Sequence, residues 1–410
     1  MAKPRKLNSK NTRKDDMKRF GGLYAQICDY DNLLKAHKAA RRGKGFYKEV
    51  QMVDENPKFY LGQIRQMLLN HNYKVGSYST KTINDRGKVR VLHKLPYYPD
   101  RIIQHAILQV IEFIFVRSFC YHTCASLTGR GIKRARILTK RYANLSADKG
   151  KYCLKIDIEK FFDNIDKDIL CALLARKIKD KELFHLLKII IFSYPHEKGV
   201  PIGSYLSQYF ANFYLNEFDH WLKELKKQKY VVRFMDDVVI FGDDKSKLHT
   251  LLREIRVFLK ENLRLNLKSN FQIFPVKIRG VDFAGYRFFK GFTLLRKRIA
   301  QKIKHAFALM RKKAEKGKFI GVHFFCAFNA YAGFFRHFDG FRFFKKHFLA
   351  QFSNVARFYF VFICEKIGFE FKFKALMSYL KKVFGVHFNE KFTPKAFKIA
   401  LNYTQRRRNV

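Results

Sequence analysis

"VVRFMDDVVIFGDD", residues 231–244, sets two short apolar runs of β-type residues around adjacent carboxylates, Asp236 and Asp237. The runs read as a buried hairpin, and buried hairpins do not ordinarily carry paired negative charge. Neighbouring side chains on a flat strand point to opposite faces. A tight turn at Met235–Asp236–Asp237 relaxes that rule and brings both carboxylates toward one point. Clustered carboxylates repel and resist burial unless cations neutralise them. A hard, oxygen-seeking divalent ion such as Mg²⁺ is the natural partner. A bare Asp pair also fits a solvated hairpin tip.

A third carboxylate shifts the balance. "KYCLKIDI" (151–158) reads as a buried strand ending at Asp157, followed in "EKFFDNIDKDILCALLARKI" by a turn and a helix. A strand-end Asp beside a hairpin-tip Asp pair gives a three-carboxylate cluster. That ligand set suits two-metal phosphoryl transfer, in which one ion activates an attacking 3′-hydroxyl and the other holds the triphosphate and leaving group.

The charge agrees with a nucleic-acid substrate. The chain of 410 residues carries 83 Lys+Arg against 34 Asp+Glu, a formal net charge of +49. A polyanionic partner offsets such self-repulsion; nucleic acid comes first and an anionic membrane second. AT-rich coding is the alternative reading of the Lys count and of the 45 Phe, but Arg is plentiful too. No apolar stretch approaches the ~20 residues of a spanning helix, and the basic N-terminus lacks a signal-peptide core. The cysteines, seven in number and scattered, fit a reducing cytoplasm. Cys120, His122 and Cys124 lie close together, but no second ligand pair follows at zinc-like spacing.

Outward from the hairpin, Asp243–Asp244 open a helix whose stripe is Leu248, Leu251, Leu252, Ile255, Phe258 and Leu259. "FQIFPVKIRGVDFAGYRFF" (271–289) predicts two more short strands. "GVPIGSYLSQYFANFYLNEFDHWL" (199–222) is a Gly/Pro loop entering a helix. "DNLLKAHKAARRGK" and "YLGQIRQMLLNH" predict helices, "YSTKTINDRGKVRVLHKL" (78–95) a hairpin around Asp85–Gly87, and "PDRIIQHAILQVIEFIFVRSF" a long apolar helix. "TGRGIKRA" (128–135) is a basic Gly-rich loop entering another helix. The order predicts an antiparallel sheet backed by helices, an α+β layer. From about 296 the chain is Lys/Arg/Phe-rich and helical in pattern, with rings and cations interleaved as in "FFRHFDGFRFFKKHF". That pattern suits stacking on nucleic acid, and equally a bundle with a basic outer face.

"CLKIDIEKFFDNID", "GVPIGSYLSQYFANFYLNEFD", "RFMDDVVIFGDD", "LNLKSN" and "VDFAGYRFF", in that order, resemble the palm motifs of bacterial reverse transcriptases. "PDRIIQHAIL" and "LTGRGIKRA" resemble the fingers motifs of the same family. The resemblance covers about residues 25–300. "IGxxxSQ", met by Ile202, Gly203, Ser207 and Gln208, and "LLRKR" (294–298) look most like the diversity-generating retroelement type; defence-associated relatives share much of this core.

The resemblance implies a right-hand polymerase: a basic arm (1–24), fingers (25–150), a palm with an antiparallel sheet (151–290), and a helical thumb running into a basic helical C-terminal extension (291–410). It implies an RNA-directed DNA polymerase using two Mg²⁺ ions, or Mn²⁺, with Asp157, Asp236 and Asp237 catalytic and the Ile158 carbonyl a further metal ligand. Phe162 resembles the aromatic gate under the sugar, whose ring collides with a ribose 2′-hydroxyl; read alone it is equally a core residue. Lys88 and Arg90 resemble the pair that holds the triphosphate, and a solvated basic strand fits them as well. Lys268 resembles the lysine that protonates pyrophosphate, or is a surface lysine. Gly203 and Ser207–Gln208 open a helix under the templating base pair. Arg130, Lys133, Arg134, Arg296, Lys297 and Arg298 are assigned to nucleic-acid contact.

The implied partners are a structured noncoding RNA template, dNTPs, the cDNA product, and an accessory protein or second copy, with no membrane, in the bacterial cytoplasm. Two features depart from the family. Phe234 stands where Tyr is usual, and the chain runs past the usual thumb. The competing readings are a non-catalytic, maturase-like RNA-binding protein and an RNA-copying RNA polymerase; Phe162 disfavours the second, and the intact Asp set disfavours the first.

Overall fold

The computed structural model describes residues 19–85 and 88–315, with scattered positions between 330 and 347. The predicted N-terminal arm therefore lies largely outside the described residues, and so does most of the predicted basic extension. The chain divides into two compact units, Met1–Val276 and Lys277–Val410.

The first unit is built on a four-stranded antiparallel sheet. Its strands are β3 (Tyr152–Asp157), β4 (Val231–Phe234), β5 (Asp237–Gly242) and β6 (Gln272–Pro275), in the order β4-β5-β3-β6. β5 is an inner strand buried along Val238, Val239, Ile240 and Phe241. A strand covered on both faces has no polar face to alternate with, which explains the unbroken apolar run. β1 (Ser79–Asp85) and β2 (Lys88–Lys94) form the hairpin expected from the sequence.

Three helices fix the sheet's surroundings. Ile102–Ser118 buries residues around most of its circumference, as an apolar helix must inside a large core. Tyr205–Tyr214 packs against it and against Lys167–Ala175. Lys245–Leu263 buries Leu248, Leu251, Leu252, Ile255 and Leu259, with Phe258 stacked on Trp221 at 4.6 Å. Its N-cap is Asp244, whose carboxylate accepts from the Lys247 amide at 2.9 Å. Asp243 pairs with the Lys247 side chain instead.

The stretch 271–289 differs from expectation. It holds three strands rather than two, and they belong to different sheets. β6 closes the first sheet and ends at Pro275, which lacks the N–H needed to continue a ladder. In the second unit, β7 (Val281–Phe283), β8 (Tyr286–Phe288) and β9 (Thr293–Leu295) form a separate antiparallel sheet. β7 and β8 are joined across Ala284 (φ 47°) and Gly285 (φ 88°), a two-residue turn too tight to read as a boundary. The helix Lys297–Glu315 follows.

Candidate active site

The β4–β5 hairpin turns in two residues, Met235 and Asp236, with Phe234 and Asp237 paired across it. Met235 takes φ +55°, the sign such tight hairpin turns require. The turn is held from below by Arg233, whose Nη1 donates to the Met235 carbonyl at 3.1 Å.

β5 then runs beside β3 with Asp237 directly opposite Asp157. Directly opposed residues share one face of a sheet, with Cβ atoms about 5 Å apart. The two carboxylates are therefore neighbours by register. Asp236 is tied to the same place through its backbone, its carbonyl accepting from the Ile158 amide at 3.3 Å. The predicted juxtaposition of strand end and hairpin tip is present in the backbone.

The side chains add something the sequence reading lacked. Lys268 is ion-paired with Asp157, and Lys155 Nζ lies 3.6 Å from Asp237 Oδ2. Lys155 shares a face with Asp157 because they are two residues apart on β3. Lys268 arrives through a short bridge, Ile158 opposite Leu267, in which the Lys268 amide donates to the Asp157 carbonyl at 2.9 Å. The bridge's other bond joins the Glu159 amide to the Asn266 carbonyl, so the Ile158 carbonyl stands outside it. Among the described residues no three acidic, His or Cys side chains close on one point as a metal-binding group. Like charges facing each other must be neutralised, and here ammonium groups do so. The donor set still fits a divalent ion chemically: carboxylates in register, another in the adjoining turn, and a backbone carbonyl, all hard oxygen.

One loop joins the remaining predicted residues. The Val200 amide donates to the Phe162 carbonyl at 2.9 Å. Gly199, at φ +92°, lies so close that a Cβ there would sit 2.9 Å from the Asp163 carbonyl oxygen. Phe162 is half-buried in the short helical turn Phe161–Asn164, its ring 5.6 Å from that of Phe161. Farther along, the Ile202 carbonyl accepts from the His93 amide of β2 at 3.3 Å, and Gly203 follows at φ +114°. Gln208 is exposed on the helix Tyr205–Tyr214, while Ser207 is buried. Sequence reasoning missed Gln104, whose Oε1 accepts from Ser204 Oγ (2.9 Å) and the Tyr205 amide (3.2 Å). The signal was present: Gln104 is a polar residue set between the apolar pairs Ile102–Ile103 and Ile107–Leu108 of a mostly buried helix. β2 carries Lys88 and Arg90; their side chains lie outside what is described.

The basic residues divide. Lys133 is exposed. Arg130 turns inward, Nη1 donating to the carbonyls of Cys120 (2.8 Å) and Thr123 (3.1 Å). The cause is local: Gly129 and Gly131, both at positive φ, fold the loop back on itself. Arg134 stacks its guanidinium 3.8 Å from the centre of the Tyr121 ring. In the second unit Arg296 is paired with Asp282, while Lys297 and Arg298 are exposed.

A buried network that the sequence did not disclose underlies the hairpin. Arg233 and Asp219 are fully buried and paired, with Nη2 to Oδ2 at 2.6 Å and Nε to Oδ1 at 2.8 Å. His122 Nε2 meets Asp219 Oδ1 at 3.1 Å, Thr123 Oγ1 donates to Oδ2 at 2.7 Å, and Arg233 Nη1 reaches Asn212 Oδ1 at 3.0 Å. Burial works to raise the Asp219 carboxyl, but the charges of Arg233 and His122 outweigh it and hold the group well below the usual carboxylate range.

Comparison with known proteins meets this geometry from another side. The family described as "Reverse transcriptase (RNA-dependent DNA polymerase)" matches residues 79–324, more than half of the chain. The chain belongs to the reverse transcriptase family. Its architecture is that of a right-hand polymerase. The chain is 24% identical over 254 residues to the "Putative COX1/OXI3 intron 2 protein" of Saccharomyces cerevisiae, covering 46% of this chain and 29% of that one. It is 25% identical over 254 residues to "Protein YkfC" of Escherichia coli, covering 52% and 65%. A solved telomerase from Candida albicans matches 59% of this chain and 52% of its own at 11% identity, with a TM-score of 0.40. The chain thus spans less than two thirds of either relative's length. No described helix is long and apolar enough to cross a membrane.

Proposed function

We propose that this reverse transcriptase copies a structured noncoding RNA into cDNA, in a retroelement or phage-defence setting, with Asp157, Asp236 and Asp237 as the catalytic carboxylates. The observation that carries the reading is the register of Asp157 with Asp237, with Asp236 in the adjoining turn. Asp157, Asp236, Asp237 and the Ile158 carbonyl would hold Mg²⁺ or Mn²⁺, which lowers the pKa of an attacking 3′-hydroxyl and neutralises charge on the transferring phosphate. The chain's own residues do the rest. Phe162 stands under the sugar and rejects a 2′-hydroxyl by volume. Lys88 and Arg90 hold the triphosphate. Gly203 and Gln208 seat the templating pair. The net charge of +49 retains the template. The test is primer extension on RNA with dNTPs, with sequencing of the RNA that co-purifies. Absence of template-dependent incorporation sinks the catalytic reading and leaves a maturase-like RNA binder. Absence of a discrete enriched RNA sinks the dedicated-template reading.

Two predictions follow from the site. Phe162→Ala should lower discrimination between dNTPs and NTPs by roughly one to two orders of magnitude; single-nucleotide incorporation measures it, and unchanged discrimination returns Phe162 to the core. Lys268, ion-paired with Asp157, is proposed to protonate the leaving pyrophosphate. Lys268→Met should therefore lower kcat by about 10²-fold with RNA binding unchanged. Unchanged single-turnover incorporation removes the acid role.

A further inference from the structure

A group of basic side chains apart from the carboxylates has donors and no acceptors. Arg101 opens the helix Ile102–Ser118 and is half-buried, with its Nε enclosed and without a hydrogen-bond partner. One turn on, His105 is 8% exposed, its Nε2 is likewise unpartnered, and its ring is stacked on Tyr205 at 4.1 Å and 12°. Lys44 completes the group, close enough for its charge to act on both.

Among the described residues neither Lys44 nor Arg101 has an acid partner. Of the neighbouring acids, Glu49 accepts from the Tyr97 amide and Glu112 from Tyr209, while Asp100 accepts through Oδ1 from Tyr73 and Gly76 and keeps Oδ2 buried and unpartnered. Burial first, then Arg101 and Lys44, push His105 down to about 4, so its ring is neutral near pH 7. Buried donors are almost always satisfied in folded proteins. The unpartnered Arg101 Nε and His105 Nε2, beside the Lys44 ammonium, therefore call for an anion.

The rim identifies which anion. Directly after Lys44 the chain presents Phe46 and Tyr47, which are 70% and 51% exposed with ring centres 4.4 Å apart. The Tyr47 phenol lies within electrostatic reach of Arg101. Exposed paired rings beside these basic groups suit a base and its own phosphate, which a free phosphate ion would not need.

We infer that Lys44, Arg101 and His105 form a binding pocket for a backbone phosphate of a nucleic-acid strand, with the adjoining base lying on Phe46 and Tyr47. Arg101 supplies the forked donors that match phosphate oxygens, Lys44 a point charge, and His105 a fixed N–H. Gln104, beside His105 in sequence, holds Ser204 and Tyr205. The same helix thus reaches both the bound strand and the loop before Tyr205–Tyr214. Calling the strand the template rests on the polymerase reading; its binding does not.

The test measures binding of the full chain to a fluorescent single-stranded RNA oligonucleotide across a KCl series. Arg101→Gln and Lys44→Gln should each weaken binding about tenfold and flatten the plot of log Kd against log[KCl] by up to about 0.7, one phosphate's share on a single strand. Phe46→Ala should weaken binding with the slope unchanged. Lys44, on a loop, keeps the test valid if Arg101→Gln unfolds. A wild-type slope in Lys44→Gln overturns the proposal. Saturable dNTP binding that Arg101→Gln abolishes, with the oligonucleotide slope intact, assigns the pocket to a nucleotide and overturns it also. Asp157→Asn should bind RNA as the wild type does, so a silent polymerase and a missing pocket are separate results.

Discussion

Asp157→Asn is expected to abolish DNA synthesis, by about 10³-fold or more, while leaving the protein folded. Asparagine keeps the size of the side chain and the β3 ladder but removes the anionic oxygen that a divalent ion needs. Metal stabilisation of a phosphoryl transition state is worth several kcal/mol, and about 4 kcal/mol corresponds to a factor of 10³. The stability effect is small because the ion pair with Lys268 is partly exposed, at 34% and 31%. Asp237→Asn should behave alike, and the double variant should be little worse than either, as expected of groups that act as one unit. Asp236→Ala and Asp237→Ala together should likewise fold and make no DNA. Single-turnover incorporation, normalised to RNA binding, measures the loss. Incorporation within tenfold of wild type by Asp157→Asn would remove these residues from the chemistry.

Much of this centre was legible because it rests on local pattern. The unbroken run Val238–Phe241 between polar ends marks a strand covered on both faces, and the periodic leucines after Asp244 mark a one-sided helix. An acid at the end of one apolar run and two at the tip of another need only those runs to be neighbours. The register of Asp157 with Asp237 shows that they are.

What stayed hidden depends on partners distant in sequence. Lys268 and Asp157 lie 111 residues apart, and Asp219 and His122 lie 97 apart. No periodicity announces such a meeting. Arg130 looked available for phosphate because its neighbours are glycine and basic residues, yet those glycines let the loop fold its guanidinium onto its own carbonyls. In the sequence Arg101 is one basic residue among 83 Lys+Arg. Only the structure shows that no acid answers it among the described residues.

Arg233→Met carries the largest expected stability loss. Both members of the Arg233–Asp219 pair are 0% exposed. Removing one member of a buried pair costs about 3–5 kcal/mol, because the other charge is left stranded. Against a usual total of about 5–15 kcal/mol, that is enough to melt much of the protein at moderate urea. The pH dependence follows from the sign of the shift. The folded pKa of Asp219 is depressed, so its contribution is complete above the unfolded value of about 3.9 and fades as pH falls through and below it. Without Arg233, burial acts more nearly alone, the folded pKa rises, and acid sensitivity should begin at higher pH; urea melts at pH 7, 5 and 4 measure this. The double variant Arg233→Met/Asp219→Leu separates stability from positioning. Replacing the whole pair with apolar groups should recover much of the lost stability. It cannot restore the Nη1 bond to the Met235 carbonyl that holds the turn bearing Asp236. A stable double variant that stays poorly active identifies Arg233 as the support of the catalytic turn; one that regains wild-type activity shows the network serves stability alone.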